Sequence, residues 1–391
     1  MQDGSGRDMA SDPIKASSGG SLSLRWLVDH AWPLWLEHGV DWRRGAFYEH
    51  LDLASLQCRA DFRRLRVAAR QTYVFAKAAE FGVPRARDAV AFGLEFLHGP
   101  VRLADGGYAW RFDLDNRPID HTRDLYDHAF VLLAFAAAAG IVGADGLRQD
   151  ANLLLEYISA NFRHPEGGYA ESIPPALPRR QNPHMHLLEA LLAASEAFGD
   201  EAFFACAHDL VDIFLNRFFQ PREGALPEFF DAALAPVREG GRFRVEPGHH
   251  YEWIWLFDRY AKRAATLGKM VAPTLTFVSG SLLEFADRYA VSPDCGLVVN
   301  GIWSDGVLQD SGFRLWPQTE RLKADARRMN SASERLAAGE RALAKHLAGV
   351  RPGLWIERMD ADGNSLNGPA PATSLYHLTA AFTNNDVVAL G

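Results

Sequence analysis

The chain has 391 residues, 48% hydrophobic and 23% charged, a balance that excludes intrinsic disorder and fibrous repeats. Its 41 Lys and Arg against 49 Asp and Glu leave a net charge of −8, which argues against a nucleic-acid backbone or an acidic membrane surface as the main partner. The 3 cysteines, Cys58, Cys206 and Cys295, are too few and too scattered for a disulfide framework or a cysteine zinc cage, so a reducing cytoplasm is the expected compartment.

Residues 1–20 mix Gly, Ser and charge and lack the apolar core of about 7–15 residues that a secretory signal needs. They are expected to form a disordered tail ahead of a single domain over 21–391. No uninterrupted apolar run reaches about 18 residues, so no membrane span is expected. Beyond the tail the dominant pattern is helical. Leu125–Ala138, His184–Phe198 and Ala202–Phe219 carry apolar residues every three or four positions, whereas strand-like alternation is short and rare.

A weak repeat organises these helices. A glycine, then an aromatic or aliphatic residue, then a polar or acidic one recurs at Gly45–Glu49, Gly107–Trp110, Gly168–Glu171, Gly224–Glu228, Gly301–Asp305 and Gly353–Glu357. Successive starts are 52 to 77 residues apart, which accommodates one helical hairpin and its connection. Six hairpins closing on themselves predict an all-α (α/α)6 barrel, with short β-hairpin loops gathered at one end around a central pit.

The candidate chemistry follows in chain order. Arg66 and Arg70 lie four apart on one helix face and can supply fixed positive charge to an oxyanion. In Asn182-Pro183-His184-Met185-His186, Asn182 is the expected N-cap and Pro183 the first helical residue. His184 and His186 then point about 200° apart, which weakens a zinc reading. His186 shares its side with Glu189 and Ala193 and can face a pit at the helix mouth. Pro247 and Gly248 mark another helix start, placing His249, Glu252, Trp253 and Leu256 on one face. The helix N-terminus disfavours an imidazolium, so His249 is expected to be neutral, with Glu252 fixing its tautomer or binding a sugar hydroxyl. Near the C-terminus, Ser374-Leu375-Tyr376-His377 would bring His377 beside the first hairpin if the ring closes. Trp110, Tyr126, Trp253, Trp316 and Trp355 offer aromatic faces of the kind that stack on a pyranose. His30, His38, His98, His164, His208 and His346 lack polar company at useful spacing and are expected on the surface or in packing.

Four ordered motifs, HMHLLEA, GHHYEWIWL, RLWPQTE and SLYHL, resemble the N-acylglucosamine 2-epimerase superfamily, which includes mannose isomerases and cellobiose 2-epimerases. The likeness runs from about Trp42 to Leu378. It implies an (α/α)6 barrel and a catalytic set of Arg70, His186, His249, Glu252 and His377, with Trp316 and Glu320 matching W-P-Q-T-E; Asn182, Tyr126, Trp110, Trp253 and Trp355 complete the expected sugar site. His184 has no fixed counterpart. The NPHMHL and SLYHL patterns look like the mannose isomerase branch. The resemblance therefore implies a cytoplasmic monomer or homodimer acting on a monosaccharide, without metal or other cofactor, nucleic acid or membrane, and interconverting D-mannose and D-fructose through a cis-enediol. In that scheme Arg70 and His186 stabilise the enediolate, His377 is the base, and His249 with Glu252 opens the ring. A 2-epimerase is the alternative within the class. Outside it stand a glycoside hydrolase using Asp124, Asp127 or Glu320, a metal-dependent isomerase and an inactive sugar-binding module. No GxxxxGK loop appears, so a free sugar is expected over a sugar phosphate; Arg179-Arg180 is the feature pointing the other way.

Overall fold

The computed structural model describes residues 24–99, 101–326 and 332–383; the expected tail at 1–20 lies outside them. The chain opens with α1 (Leu24–Trp26), which runs through a π-helical turn into α2 (Trp32–His38). Then follow α3 (Leu65–Glu80), α4 (Ala86–His98), α5 (Leu125–Val142), α6 (Asp145–Asn161), α7 (Asn182–Phe198), α8 (Glu201–Ile213), α9 (Pro247–Thr266), α10 (Thr274–Tyr289), α11 (Leu315–Asp325), α12 (Ala332–Leu347) and α13 (Ala372–Thr383). Helices α3, α5, α7, α9, α11 and α13 pack in sequence as an inner ring, which closes where α13 meets α3. Each of α4, α6, α8, α10 and α12 packs outside the inner helix that precedes it. The α1–α2 segment backs the last inner helix, with Trp32 donating to Thr379 Oγ1 at 3.2 Å and Trp26 packing edge-on to Phe382. This is the expected toroid of six hairpins.

The two layers differ in composition for a physical reason. An inner helix is covered on both sides and is apolar nearly all round, as in α5, whose buried residues include Phe130, Leu132, Leu133 and Phe135. That helix is long and apolar enough to cross a membrane, yet 72% of its apolar window is buried inside the protein. An outer helix has one wet face, and α4 buries only one stripe: Ala86, Ala89, Val90, Gly93, Leu94, Phe96 and Leu97.

The repeat turns stitch the ring at the N-terminal ends of the inner helices. The short strand leading into each inner helix pairs antiparallel with the strand following the next outer helix. Arg63–Arg64 thus pairs with Arg111–Phe112, and Arg123–Asp124 with Ser172–Ile173. The last such pair, Ala370–Pro371 with His50–Leu51, joins the two ends of the described chain. Carbonyls of the repeat turns also satisfy orphan helix N–H groups: Trp110 O accepts from Leu65 N, Glu171 O from Leu125 N, Glu357 O from Leu315 N and Glu49 O from Ala372 N, at 2.9–3.1 Å.

A second repeated device explains several histidines. The Nε2 atoms of His128, His184 and His250 accept the backbone N–H of Tyr108, Tyr169 and Leu226, while each Nδ1–H donates to a carbonyl. Gln318 does the same for Val298. His184 is therefore a structural clamp, and burial holds it neutral by lowering its pKa to about 3. The fifth turn also corrects the sequence register. It starts at Gly296, whose φ of +74° matches Gly168 and Gly224, and the bridge Val291–Val298 follows it. Gly301 instead lies in the strand Gly301–Trp303. In the second turn the positive φ belongs to Gly106, one residue before Gly107.

Candidate active site

At the end where the inner helices begin, a cavity of about 240 Å³ opens on the barrel axis. It is lined by Arg70, Tyr126, Asn182, His186, Glu246, His249, Glu252, Arg314, Trp316, Glu357, Arg358, Thr373, Ser374 and His377. Arg70 from α3, Tyr126 from α5, His186 from α7, His249 and Glu252 from α9, Trp316 from α11 and His377 from α13 all occupy the first two turns of their helices. Six helix N-termini thus direct their positive ends toward one hollow, which favours developing negative charge. A larger hollow of about 460 Å³ lies among the other ends of α3, α5, α7 and α9; it is lined largely by alanines and by the ion pairs Lys77–Glu80 and Arg259–Glu196.

The three expected histidines meet here in different states. His377 Nδ1 faces Glu320 Oε1 at 2.8 Å. Burial, Arg70 and Lys323 hold its pKa well below the usual imidazole value. A neutral ring donating Nδ1–H to Glu320 leaves the Nε2 lone pair free. His186 Nδ1 lies 3.3 Å from Glu189 Oε2, and its ring packs against Tyr126, Phe130 and Tyr376. Burial brings its pKa to about 3, so it too is neutral.

His249 overturns the sequence reading. Its Nδ1 lies 2.9 Å from Glu228 Oε1, not beside Glu252 alone. Burial opposes charge on the ring, but Glu228, then Glu246 and Glu252, outweigh it and raise its pKa to about 9. The helix-end field is weaker than the nearby carboxylates of Glu228 and Glu246, so His249 is an imidazolium at neutral pH. Its folded pKa lies above the unfolded value, so its contribution to stability is complete below about pH 6.5 and is lost as pH rises through about 9. Thermal melts from pH 6 to 10 should show that decline, and His249→Gln should flatten it; equal slopes in both proteins would refute the assignment.

Glu252 is the counterpart acid. Burial and the neighbouring Glu320 push its pKa well above the carboxylate range, and among the described residues neither of its buried oxygens has a hydrogen-bond partner. Its neutral form is thereby favoured, and it faces the cavity as a carboxyl able to give up a proton. Asn182 does not cap α7. Its amide nitrogen crosses to His249 Nε2 at 3.2 Å and its buried oxygen lacks a partner among the described residues, so a turned amide would accept the imidazolium proton. Arg70 is fixed by Thr373 O at 3.2 Å and by a short bond to the Tyr126 hydroxyl, with its guanidinium 4.1 Å over Phe130. Trp316 stands between His249 and His377, its ring 4.8 and 5.9 Å from theirs. Only glycine fits at position 248, because a Cβ there would come within 2.4 Å of the Trp316 ring.

Four expectations fail. Trp253 is wholly buried, donates to Gln181 Oε1 at 2.7 Å and packs on Phe214. Trp355 is equally buried and stacks on Trp35. Trp110 lies beside Arg66, outside the cavity. Glu320 supports His377 from behind and does not line the cavity. Trp253 and Trp355 satisfied an aromatic pattern, but full burial left them no free face, whereas half-buried Trp110 is turned toward Arg66 and away from the cavity. The hydrolase carboxylates fare no better: Asp124 and Asp127 are ion-paired with Arg66 and do not line the cavity. Among residues absent from the expected site, Glu228 was visible only as the acidic end of a repeat turn. Nothing in the local sequence pairs it with His249.

Residues 45–381 match the sequence profile of N-acylglucosamine 2-epimerase (GlcNAc 2-epimerase). The chain belongs to the N-acylglucosamine 2-epimerase family. Its members are isomerases and epimerases, and this chain is an enzyme of that class acting on a small-molecule sugar. A mannose-6-phosphate isomerase of Rhizobium meliloti is 37% identical over 371 residues, covering 91% of this chain and 94% of that one. A D-mannose isomerase of Thermobifida fusca is 34% identical over 210 residues, covering 49% and 50%. Among solved structures, a D-mannose isomerase superposes with a TM-score of 0.80 at 20% identity, covering 90% of this chain and 93% of that one. A sugar epimerase from a ruminal bacterium gives 0.80 at 18%, covering 91% and 97%. At such identities the superpositions establish the fold.

Proposed function

We propose that this protein is an aldose–ketose isomerase interconverting D-mannose and D-fructose, or a close hexose pair, through a cis-enediol. The observation that carries the reading is the meeting of a neutral His377, a cationic His249 and a rigid Arg70 in one sugar-sized cavity. Separated acid and base states of this kind suit proton transfer next to a carbonyl. His249 or Glu252 protonates the ring oxygen, the C1–O5 bond breaks, and the O1 hydroxyl returns a proton to the same group as it becomes the aldehyde. His377 Nε2 then removes the C2 proton, the electron pair forms the C1–C2 double bond, and charge gathers on O1, where Arg70 donates; His186, whose one N–H faces Glu189, presents only its Nε2 lone pair to the cavity. The proton returns to C1 while the O2 proton passes to O1, which leaves the carbonyl at C2 and a hydroxyl at C1. Return to the opposite face of C2 would give the epimer instead. The sugar rests against Trp316 and Tyr126, with Asn182 at its edge. One closed barrel supplies the whole set, consistent with a single-domain monomer or homodimer, and the free Cys58, Cys206 and Cys295 suit the cytoplasm.

The test is incubation with mannose in deuterated water, read by NMR. Fructose carrying deuterium at C1 is the expected result, with full activity retained after exhaustive chelation. Labelled glucose would indicate epimerisation, and loss of activity on chelation a metal-dependent route. Cleavage of an aryl glycoside without ketose would indicate a hydrolase.

A second reading, a hexose 6-phosphate as substrate, is favoured by one observation. A hollow of about 410 Å³ adjoins the cavity and shares Arg314 and Arg358 with it, and Arg244 lies alongside. Comparing mannose with mannose 6-phosphate in the same assay separates the two readings.

A further inference from the structure

Beneath the cavity lies a buried cation that the scheme above does not use. Lys323, in α11, is inaccessible to solvent; its Nζ lies 2.5 Å from Glu320 Oε2 and 3.8 Å from the centre of the Trp255 ring. Its Nζ makes no hydrogen bond among the described residues, so the ion pair is its polar anchor. Burying an ammonium is costly, and an apolar side chain of similar length would fill the same space without that penalty. The other oxygen of Glu320 faces His377 Nδ1 at 2.8 Å. Lys323, Glu320 and His377 therefore form one line from the barrel core to the cavity.

Charged and titratable groups surround this line on every side. Glu189 and His186 face it from α7, Glu252 and His249 from α9, Tyr376 and His377 from α13, and Arg70 from α3. Burial and the carboxyl of Glu189 work against charge on Glu320, and Lys323 is the cation in contact with it. The protonation state of Glu320 matters to the chemistry. An ionised Glu320 can only accept, so His377 must carry its proton on Nδ1 and present a bare Nε2 to the cavity. A protonated Glu320 can donate to Nδ1, which moves the histidine proton to Nε2 and removes the base.

We propose that Lys323 is a positioning residue that keeps Glu320 ionised and thereby holds His377 in the tautomer whose Nε2 can take a carbon-bound proton. This rests on the reading of His377 as the base of a sugar isomerase.

The test replaces Lys323 by methionine in the full chain and reads two quantities. Long-range proton–nitrogen spectra of protein labelled with ¹⁵N-histidine report the His377 tautomer, assigned by its loss in His377→Asn. The wild type should show Nδ1–H at neutral pH and Lys323→Met should show Nε2–H. In mannose turnover, kcat should fall about 10²-fold, with KM within about twofold because Lys323 does not reach the cavity. The acidic limb of kcat against pH should move upward by about one unit or more, so that activity recovers as Glu320 is ionised by base. Adding Glu320→Gln to Lys323→Met should cause no further loss. A purely structural lysine would lower the rate equally at all pH values and leave the tautomer alone; either result overturns the proposal. If Lys323→Met does not fold, Lys323→Gln keeps a hydrogen-bond donor without charge, and the same two shifts are required of it. A wild type that makes no ketose would refute the isomerase reading, while the tautomer spectra would still decide the role of Lys323.

Discussion

Replacing His377 by asparagine is expected to lower kcat for mannose turnover by about 10³-fold while changing KM by less than about threefold. Asparagine can still donate to Glu320 from the place of Nδ1, so the contact that fixes the side chain survives. What disappears is the Nε2 lone pair, the proton acceptor in the proposed scheme. Exchange of the C2 proton with deuterated water should fall in parallel with turnover, because both require removal of that proton. Near-normal turnover would remove His377 from the mechanism. Normal exchange with blocked turnover would shift its role to the return of the proton at C1.

The second large effect belongs to Arg70. Its guanidinium sits on the faces of Phe130 and Tyr376 and is tied to Thr373 O and the Tyr126 hydroxyl, so it need not reorganise as charge develops. A preorganised donor to an oxyanion in a site shielded from water is worth about 3–4 kcal/mol. Arg70→Met should therefore reduce kcat about 10²–10³-fold. Arg70→Lys should recover only part of the loss, because an ammonium cannot hold both anchoring contacts and still present a donor to O1. Thermal melts of both variants separate the effect from unfolding. Full activity in the methionine variant would assign the enediolate to other donors.

Much of the architecture was legible in the residues. Apolar spacing marked α5 and α7 closely, since a helix buried on both sides must be apolar nearly all round. Glycine turns at Gly45, Gly168, Gly224 and Gly353 marked the hairpin ends because each adopts a positive φ that other residues resist. The fifth turn was misread at Gly301, which lies in the strand Gly301–Trp303 and does not adopt the positive φ of a turn glycine. Of the expected site, Arg70, Tyr126, Asn182, His186, His249, Glu252, Trp316 and His377 do share the cavity. Trp253 was placed with His249 by helical spacing, but on an inner helix adjacent positions divide between the axis and the packed seam, and the spacing does not say which is which.

The sequence by itself determined the ring of helical hairpins, because periodicity and turn conformation are local properties of the chain. It also determined which helix ends carry histidine and glutamate. Only the tertiary structure decided their protonation. His249 became a cation through Glu228, a partner 21 residues away on a different turn, and burial beside Glu320 shifted Glu252 toward its neutral form. Charge states in a shielded cavity depend on every group that faces it and on the water excluded from it, and neither quantity exists until the ring has closed.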